Sequence, residues 1–305
     1  MTEGKGIAPK QWYTRLMDAY RYGPVRLPLF NLAARTALRL RAESDVRRVE
    51  ALMRGRESEA TEWFNNRNVF FGFGMYRSGT TFLADLLARG TSNTSIHHEA
   101  NVNDYWFYAQ TLRQPETAAG YIRRYRLAEA MLRNSGQSDT YGEVNPFLRR
   151  HAAALMQALP EARYFHIVRD PRQTLRSLMS REIFGPKDPM AAAIFPPDDD
   201  PLLPEWHTLG RFGRVCWLWA ADNRYLRNTV SNTYKFEDLL SDEATFNSLT
   251  EYLRLDTEPG IWARRAEVIV NDTPRKAFAP YADWTSAQKR TFDRICGPEM
   301  AHYGY

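Results

Sequence analysis

Residues 70–83 form one continuous motif: Phe70, Phe71, Gly72, Phe73 and Gly74 read as a short apolar strand, Met75, Tyr76, Arg77, Ser78 and Gly79 as a loop, and Thr80, Thr81, Phe82 and Leu83 as the opening of a helix. A buried strand that runs through a glycine loop into a helix is the entry to an α/β fold built on a parallel sheet. Gly74 and Gly79 keep the G-x-x-x-x-G spacing of a nucleotide P-loop. Thr80, however, stands where an NTPase needs its lysine, and the cation has moved back to Arg77. The loop is P-loop-like without being a Walker A. Glycines let the backbone approach anionic oxygens, successive N–H groups form a nest, and the helix presents its positive end. Together these features point to a phosphate-bearing donor.

The same pattern recurs downstream. Apolar runs at 163–168 and 230–236 supply further buried strands, each followed by a helical pattern. Asp170 is placed to cap a helix that begins with Pro171, since a carboxylate accepts orphan N–H groups and proline suits the first helical position. Ser177, seven residues beyond Asp170, shares a face with Asp170, Gln173 and Thr174. Arg169 at the strand end and Ser177 on that face are placed to hold one phosphate between them. Residues 183–210, rich in proline and aspartate, break the regular pattern, as loops that act as lids or are disordered do. The aromatic stretch 211–228 reads as a core helix.

Before the glycine loop, residues 10–60 read as two or three helices broken at Gly23-Pro24 and Pro28. The expected architecture is α/β, a central parallel sheet with flanking helices: residues 1–65 form a helical N-terminal extension and residues 66–305 a catalytic domain.

Tyr76-Arg77-Ser78-Gly79-Thr80-Thr81 after a strand resembles the 5′-phosphosulfate loop of sulfotransferases that use 3′-phosphoadenosine 5′-phosphosulfate (PAPS). The block Ala162 to Leu178, with Arg169 and Ser177, resembles that family's 3′-phosphate motif. The likeness extends through Tyr234 to Leu239 and Trp284 to Tyr305, so it covers roughly residues 68 to 305, and it is closest in pattern to bacterial and to glycan and tyrosyl-protein sulfotransferases.

The resemblance implies a donor site in which Ser78, Gly79, Thr80 and Thr81 cradle the 5′-phosphate, and Arg169 and Ser177 fix the 3′-phosphate. Arg77 takes the place of a lysine found in many members and stabilises charge at the bridging oxygen; a guanidinium binds two oxygens readily but donates no proton at neutral pH. Arg275 and Lys276 resemble the C-terminal basic loop over the 3′-phosphate, with Ala277 where the strongest version has glycine. Phe236 falls where relatives carry a tyrosine near the adenine. A glutamate about twenty residues after the loop's basic residue serves as base in the glycan and tyrosine branches, and Glu99 follows Arg77 by 22. His97 and His98 compete for that role, because other branches use histidine; if residues 95–99 are extended, 97 and 99 share a face, which favours His97. Glu143 resembles the family's Glu-Lys-x-Pro element, but Val144 replaces the lysine, so a capping or structural role is the better reading. PAPS is then the donor, adenosine 3′,5′-bisphosphate (PAP) the product, and no metal is needed.

Composition narrows the rest. The net charge of +5 sits in the extension, where residues 1–60 hold 12 Lys/Arg against 7 Asp/Glu while the remaining chain carries 29 of each. A nucleic-acid binder would spread cations over its main fold, so no nucleic acid is expected. The extension reads first as an arm packed on the domain and second as a basic amphipathic surface for peripheral membrane contact. Cys216 and Cys296 are too few for a disulfide framework. No signal peptide or membrane span is visible, and a cytoplasmic protein is expected. The acceptor is a hydroxylated small molecule, a glycan, a lipid or a peptide. Two rival readings remain: an ATP-dependent phosphotransferase with an atypical loop, and a non-catalytic nucleotide-binding or membrane-associated protein of the same fold.

Overall fold

The computed structural model of the chain describes residues 28–134, 136, 138–267 and 277–305. Among the described residues two helices come first, α1 (Pro28–Met53) and α2 (Glu57–Asn65). Helix α1 is described from Pro28 onward. Strand β1 (Asn68–Gly74) leads into α3 (Thr80–Arg89), then β2 (Thr94–His97) and α4 (Asp104–Arg113). Helix α5 (Thr117–Tyr121) passes through a π turn (Ile122–Arg126) into α6 (Leu127–Arg133), followed by β3 (Thr140–Val144). A 3-10 turn (Pro146–His151) and α7 (Ala152–Ala158) return the chain to β4 (Arg163–Val168) and α8 (Pro171–Met179). After a long irregular segment come α9 (Arg211–Thr229), β5 (Asn232–Lys235), α10 (Phe236–Ser241), α11 (Glu243–Tyr252) and α12 (Ser286–Tyr303).

The five strands lie in the order β2-β3-β1-β4-β5 and every pairing is parallel. Phe71 of β1 sits between Glu143 of β3 and Tyr164 of β4. The chain turns to one side of β1 for β2 and β3 and to the other for β4 and β5. That reversal opens a crevice at the carboxyl end of β1, where ligands bind in sheets of this kind.

Side-chain alternation along β1 feeds two cores. Phe71 and Phe73 pack on one face with Val49, Phe64, Tyr121 and Leu155, whereas Phe70 packs on the other with Phe82, Leu86 and Phe246. A third cluster at the carboxyl end holds Trp217 and Trp219 of α9, with Leu38 of α1 and Met190 and Trp206 from the irregular segment. The 183–210 segment is thus anchored by its own apolar side chains. Helix α1 is joined to the domain in the same way, since Ala42, Val49 and Met53 are buried. Cys216 and Cys296 are both buried and unbridged, where α9 meets α12. Among the described residues no helix is long and apolar enough to cross a membrane.

Candidate active site

The loop that leaves β1 is built to expose amides. Gly74 has no room for a side chain, because a Cβ there would lie 2.5 Å from Ser78 Oγ and 2.8 Å from the Ile167 carbonyl. Gly79 caps α3 with φ +96°, and a Cβ on it would fall 2.0 Å from the Phe236 ring. Ser78 is drawn into the loop's own turn, its amide and hydroxyl both donating to the Met75 carbonyl at 3.2 and 2.7 Å. The amides of Gly79, Thr80 and Thr81 have no backbone acceptor among the described residues. These are orphan donors at a helix start, aimed where an anion would sit.

Arg77 adopts φ +68°, which is uncommon for a residue with a side chain. Its carbonyl accepts from Arg169 Nη1 at 3.0 Å, and its own Nε donates to Ser177 Oγ at 2.9 Å. The two blocks that the sequence separates by about 90 residues are therefore pinned reciprocally. Arg169 is held from behind as well: its carbonyl accepts from the Trp219 indole at 3.2 Å, and its guanidinium lies 5.0 Å from the centre of the Phe236 ring. Phe236 itself is buried, edge-on to Phe82, so it forms the floor under Gly79 and Arg169. Asp170 caps α8 by accepting from the Arg172 amide at 2.8 Å, and its own amide donates to Glu237 Oε1 at 3.1 Å.

A third cation joins these two. Arg181, just past α8, has a buried Nε without a hydrogen-bond partner, and no carboxylate lies within 4 Å of Arg77, Arg169 or Arg181 among the described residues. Burial, followed by the nearby charges of Arg181 and Arg169, pushes the Arg77 guanidinium down to about 10. It remains protonated at neutral pH. Sequence reasoning passed over Arg181, and its only signal was its position twelve residues after Arg169 on the same strand–helix unit.

Glu99 also has positive φ, +47°, and burial together with the Asp104 carboxylate pushes it up to about 7. Even so, 41% of its side chain is open to solvent, so the carboxylate can meet an incoming hydroxyl. The turn at Glu99 overturns the extended geometry expected for residues 95–99. Because the backbone leaves the strand there, residues 97 and 99 do not share a face. His97 turns to Ser95 Oγ and Asn134 Oδ1, each at 2.8 Å, and lies against Tyr141. It is His98 that faces the loop, with Nε2 3.1 Å from Thr80 Oγ1, 3.2 Å from Thr81 Oγ1 and 3.7 Å from Glu99 Oε1. Burial pushes His98 down to about 4, so the ring is neutral.

Glu143 is fully buried and accepts from Arg126 Nη2 at 2.5 and 2.6 Å. Arg126 Nε also donates to Asp104 at 2.8 Å, and Asn145 Nδ2 donates to both carboxylates. This closed network joins β3, α4 and the π turn, which gives Glu143 a structural place. Arg275 and Lys276 lie outside the described residues.

The family model for the sulfotransferase family matches residues 70–259, more than half of the chain and all of the elements that carry the loop, Glu99, Arg169 and Ser177. The chain belongs to the sulfotransferase family. No curated protein matches it. Among solved structures it is similar to a sulfotransferase from Mycobacterium avium, at 13% identity and TM-score 0.47 over 94% of this chain and 89% of that one. A sulfotransferase domain from the curacin biosynthetic pathway aligns at 12% identity and TM-score 0.47, covering 78% of this chain and 98% of that one. A mouse sulfotransferase complexed with PAP aligns at 14% identity and TM-score 0.43, covering 80% and 89%. In this sulfotransferase the loop of 74–81, the β4–α8 junction and the turn at Glu99 all meet at the carboxyl end of β1, through the contacts of Arg77 with Arg169 and of His98 with Thr80.

Proposed function

We propose that this sulfotransferase moves a sulfuryl group from PAPS to a hydroxyl or amine acceptor by in-line transfer assisted by a general base. The observation that carries the reading is that the orphan amides of Gly79, Thr80 and Thr81 follow directly on Arg77, whose carbonyl is held by Arg169 and whose guanidinium feels the charges of Arg181 and Arg169, with no carboxylate within 4 Å of the three cations among the described residues. An anion bound beside Arg77 would relieve the repulsion that Arg181 and Arg169 exert on it. A doubly phosphorylated donor matches that demand, with one phosphate on the helix start and the other between Arg169 and Ser177.

The donor supplies an activated sulfuryl group on its 5′-phosphate, and the chain's residues do the rest. Amides and hydroxyls of the loop stabilise charge that develops on the leaving phosphate, the fixed-dipole effect that dominates transfers of this type. Arg77 adds a guanidinium at the bridging oxygen and serves by charge alone, because it stays protonated. Glu99 takes the acceptor's proton, and a carboxyl pushed up to about 7 is matched to base work near neutral pH. Arg275 and Lys276 remain proposed contributors to the 3′-phosphate. The acceptor is read by surfaces outside this constellation, and a small molecule, a glycan, a lipid or a peptide would each present the required hydroxyl.

Calorimetric titration with adenosine 3′,5′-bisphosphate, and separately with ATP plus Mg²⁺, tests the donor. Tight binding of the bisphosphate without metal is the expected result. Preference for Mg-ATP would replace the reading with phosphoryl transfer, and silence from both would leave a fold without a donor site.

A further inference from the structure

Among the described residues, His98 lies against both the loop threonines and Glu99. Its Nε2 lies within hydrogen-bonding distance of two hydroxyls at once, Thr80 Oγ1 at 3.1 Å and Thr81 Oγ1 at 3.2 Å, and 3.7 Å from the Glu99 carboxylate. The ring is neutral and mostly buried, so it carries a single N–H. Where that hydrogen sits decides what the two threonines can do. If Nε2 is bare, it accepts a hydroxyl hydrogen, and at least one threonine turns its donor inward, away from the start of α3. If Nε2 carries the hydrogen, both threonine oxygens accept from it and both hydroxyl hydrogens are free to point outward.

An anion at the start of α3 needs donors and accepts nothing else. It therefore selects the second arrangement, in which Nε2–H is shared between two oxygens whose own hydrogens reach the anion. Hydrogen bonds in such a chain polarise one another, and each hydroxyl becomes a better donor for having accepted. Resting on the PAPS reading above, we infer that His98 is a positioning residue for the donor's 5′-phosphate: its Nε2–H fixes the hydroxyl hydrogens of Thr80 and Thr81 toward the anion. His98 touches neither donor nor acceptor. It acts through the threonines and keeps its single N–H and its net charge: where the free ring carries that hydrogen on Nδ1, Nδ1 releases it to solvent as Nε2 takes one up.

A thermodynamic cycle and a spectroscopic signature test this. Binding of adenosine 3′,5′-bisphosphate would be titrated in the unmutated protein, in His98→Ala, in His98→Gln, whose amide nitrogen stands near the position of Nε2, and in Thr80→Val/Thr81→Val with and without His98→Ala. We expect His98→Ala to weaken binding by about tenfold, the scale of one hydrogen bond to a charged group. We expect His98→Gln to recover most of that loss, and His98→Ala to cost less than about twofold once both hydroxyls are gone, because a residue that acts through a partner has no effect without it. An equal loss in both backgrounds, no loss at all, or a glutamine variant as weak as alanine would overturn the inference. Nitrogen-15 spectra of the histidine rings in the unmutated protein give a second reading that does not depend on folding of variants. The His98 resonances should move to the Nε2–H form when the bisphosphate is added, and a ring protonated on Nδ1 in the complex would overturn it. If the bisphosphate failed to bind the unmutated protein, the donor assignment would fall first and the role of His98 with it; binding with an indifferent His98 would remove only the latter.

Discussion

Arg77 and Glu99 share an uncommon property: both are residues with side chains held at positive φ, +68° and +47°, and both carry proposed chemistry. Strained backbone survives where surrounding contacts over-determine it, and here the Arg169–Arg77 carbonyl bond and the Arg133 bond to the Ala100 carbonyl supply them. The consequence for Glu99 is measurable. Its carboxyl is pushed up to about 7, so kcat/KM should rise with pH through about 7 and level off as the base ionises. Glu99→Gln should abolish that limb and lower turnover by at least about 10²-fold while leaving bisphosphate affinity nearly intact. Full activity in that variant would move the base elsewhere. The sign for stability runs the other way: the unfolded chain releases this proton first, so Glu99 costs stability as pH rises from the ordinary carboxylate range to about 7, and Glu99→Gln should flatten that slope in urea titrations. Arg169→Ala should weaken adenosine 3′,5′-bisphosphate far more than adenosine 5′-monophosphate. Equal losses for the two nucleotides would take Arg169 out of the 3′-phosphate subsite.

The strand–loop–helix units β1–α3 and β4–α8 are where local signals and tertiary contacts agree. Asp170 and Pro171 start α8 as capping chemistry requires, and Gly79 starts α3 in a left-handed conformation that a Cβ would oppose. Gly79→Ala should therefore fail twice, through the cost of φ +96° and through a Cβ placed 2.0 Å from the Phe236 ring. We expect it to lose more than about 1 kcal/mol in thermal unfolding and to bind the bisphosphate poorly. A variant with wild-type stability and affinity would show that the loop tolerates another path. The third short strand, β3, carries Glu143, and Asn145 just after it, into a network with Asp104 and Arg126, whose π turn places the guanidinium between two carboxylates. The side chains of α4, the π turn and β3 thus meet in one network, and its Asp104 carboxylate acts on Glu99.

At the scale of the whole molecule, the described part of the N-terminal extension, residues 28–65, shares one core with the remainder. Ala42, Val49 and Met53 of α1 and Phe64 of α2 are buried, with Val49, Met53 and Phe64 in the cluster that also takes Phe71 and Phe73 of β1. Asn103 Nδ2 donates to Asp45 of α1 at 2.8 Å, four residues from Glu99. A chain that begins at residue 66 should therefore expose a continuous apolar face and lose solubility or cooperative unfolding, checked by calorimetry and sedimentation. If it unfolded at the same temperature as the full chain, residue 65 would mark a true domain boundary. Much of the site was legible in the amino-acid order alone, because glycine spacing, a capping aspartate before proline and an apolar run are local properties that each residue carries with it. The loop of 74–81, the strand at 163–168 with the helix after it and the parallel α/β class follow from such signals. Strands β2 and β3 were not legible: they are short, and Thr94–His97 and Thr140–Val144 mix polar residues and glycine whose burial comes only from neighbouring strands. The histidine on the loop is the one just past the end of β2, a contact that only the fold sets, and Arg181 entered the site because α8 carries it back toward Arg77. Phe236 became a floor under Gly79 because packing left no gap there. These are distances between residues up to about 160 positions apart in the chain, and only the folded sheet brings them together.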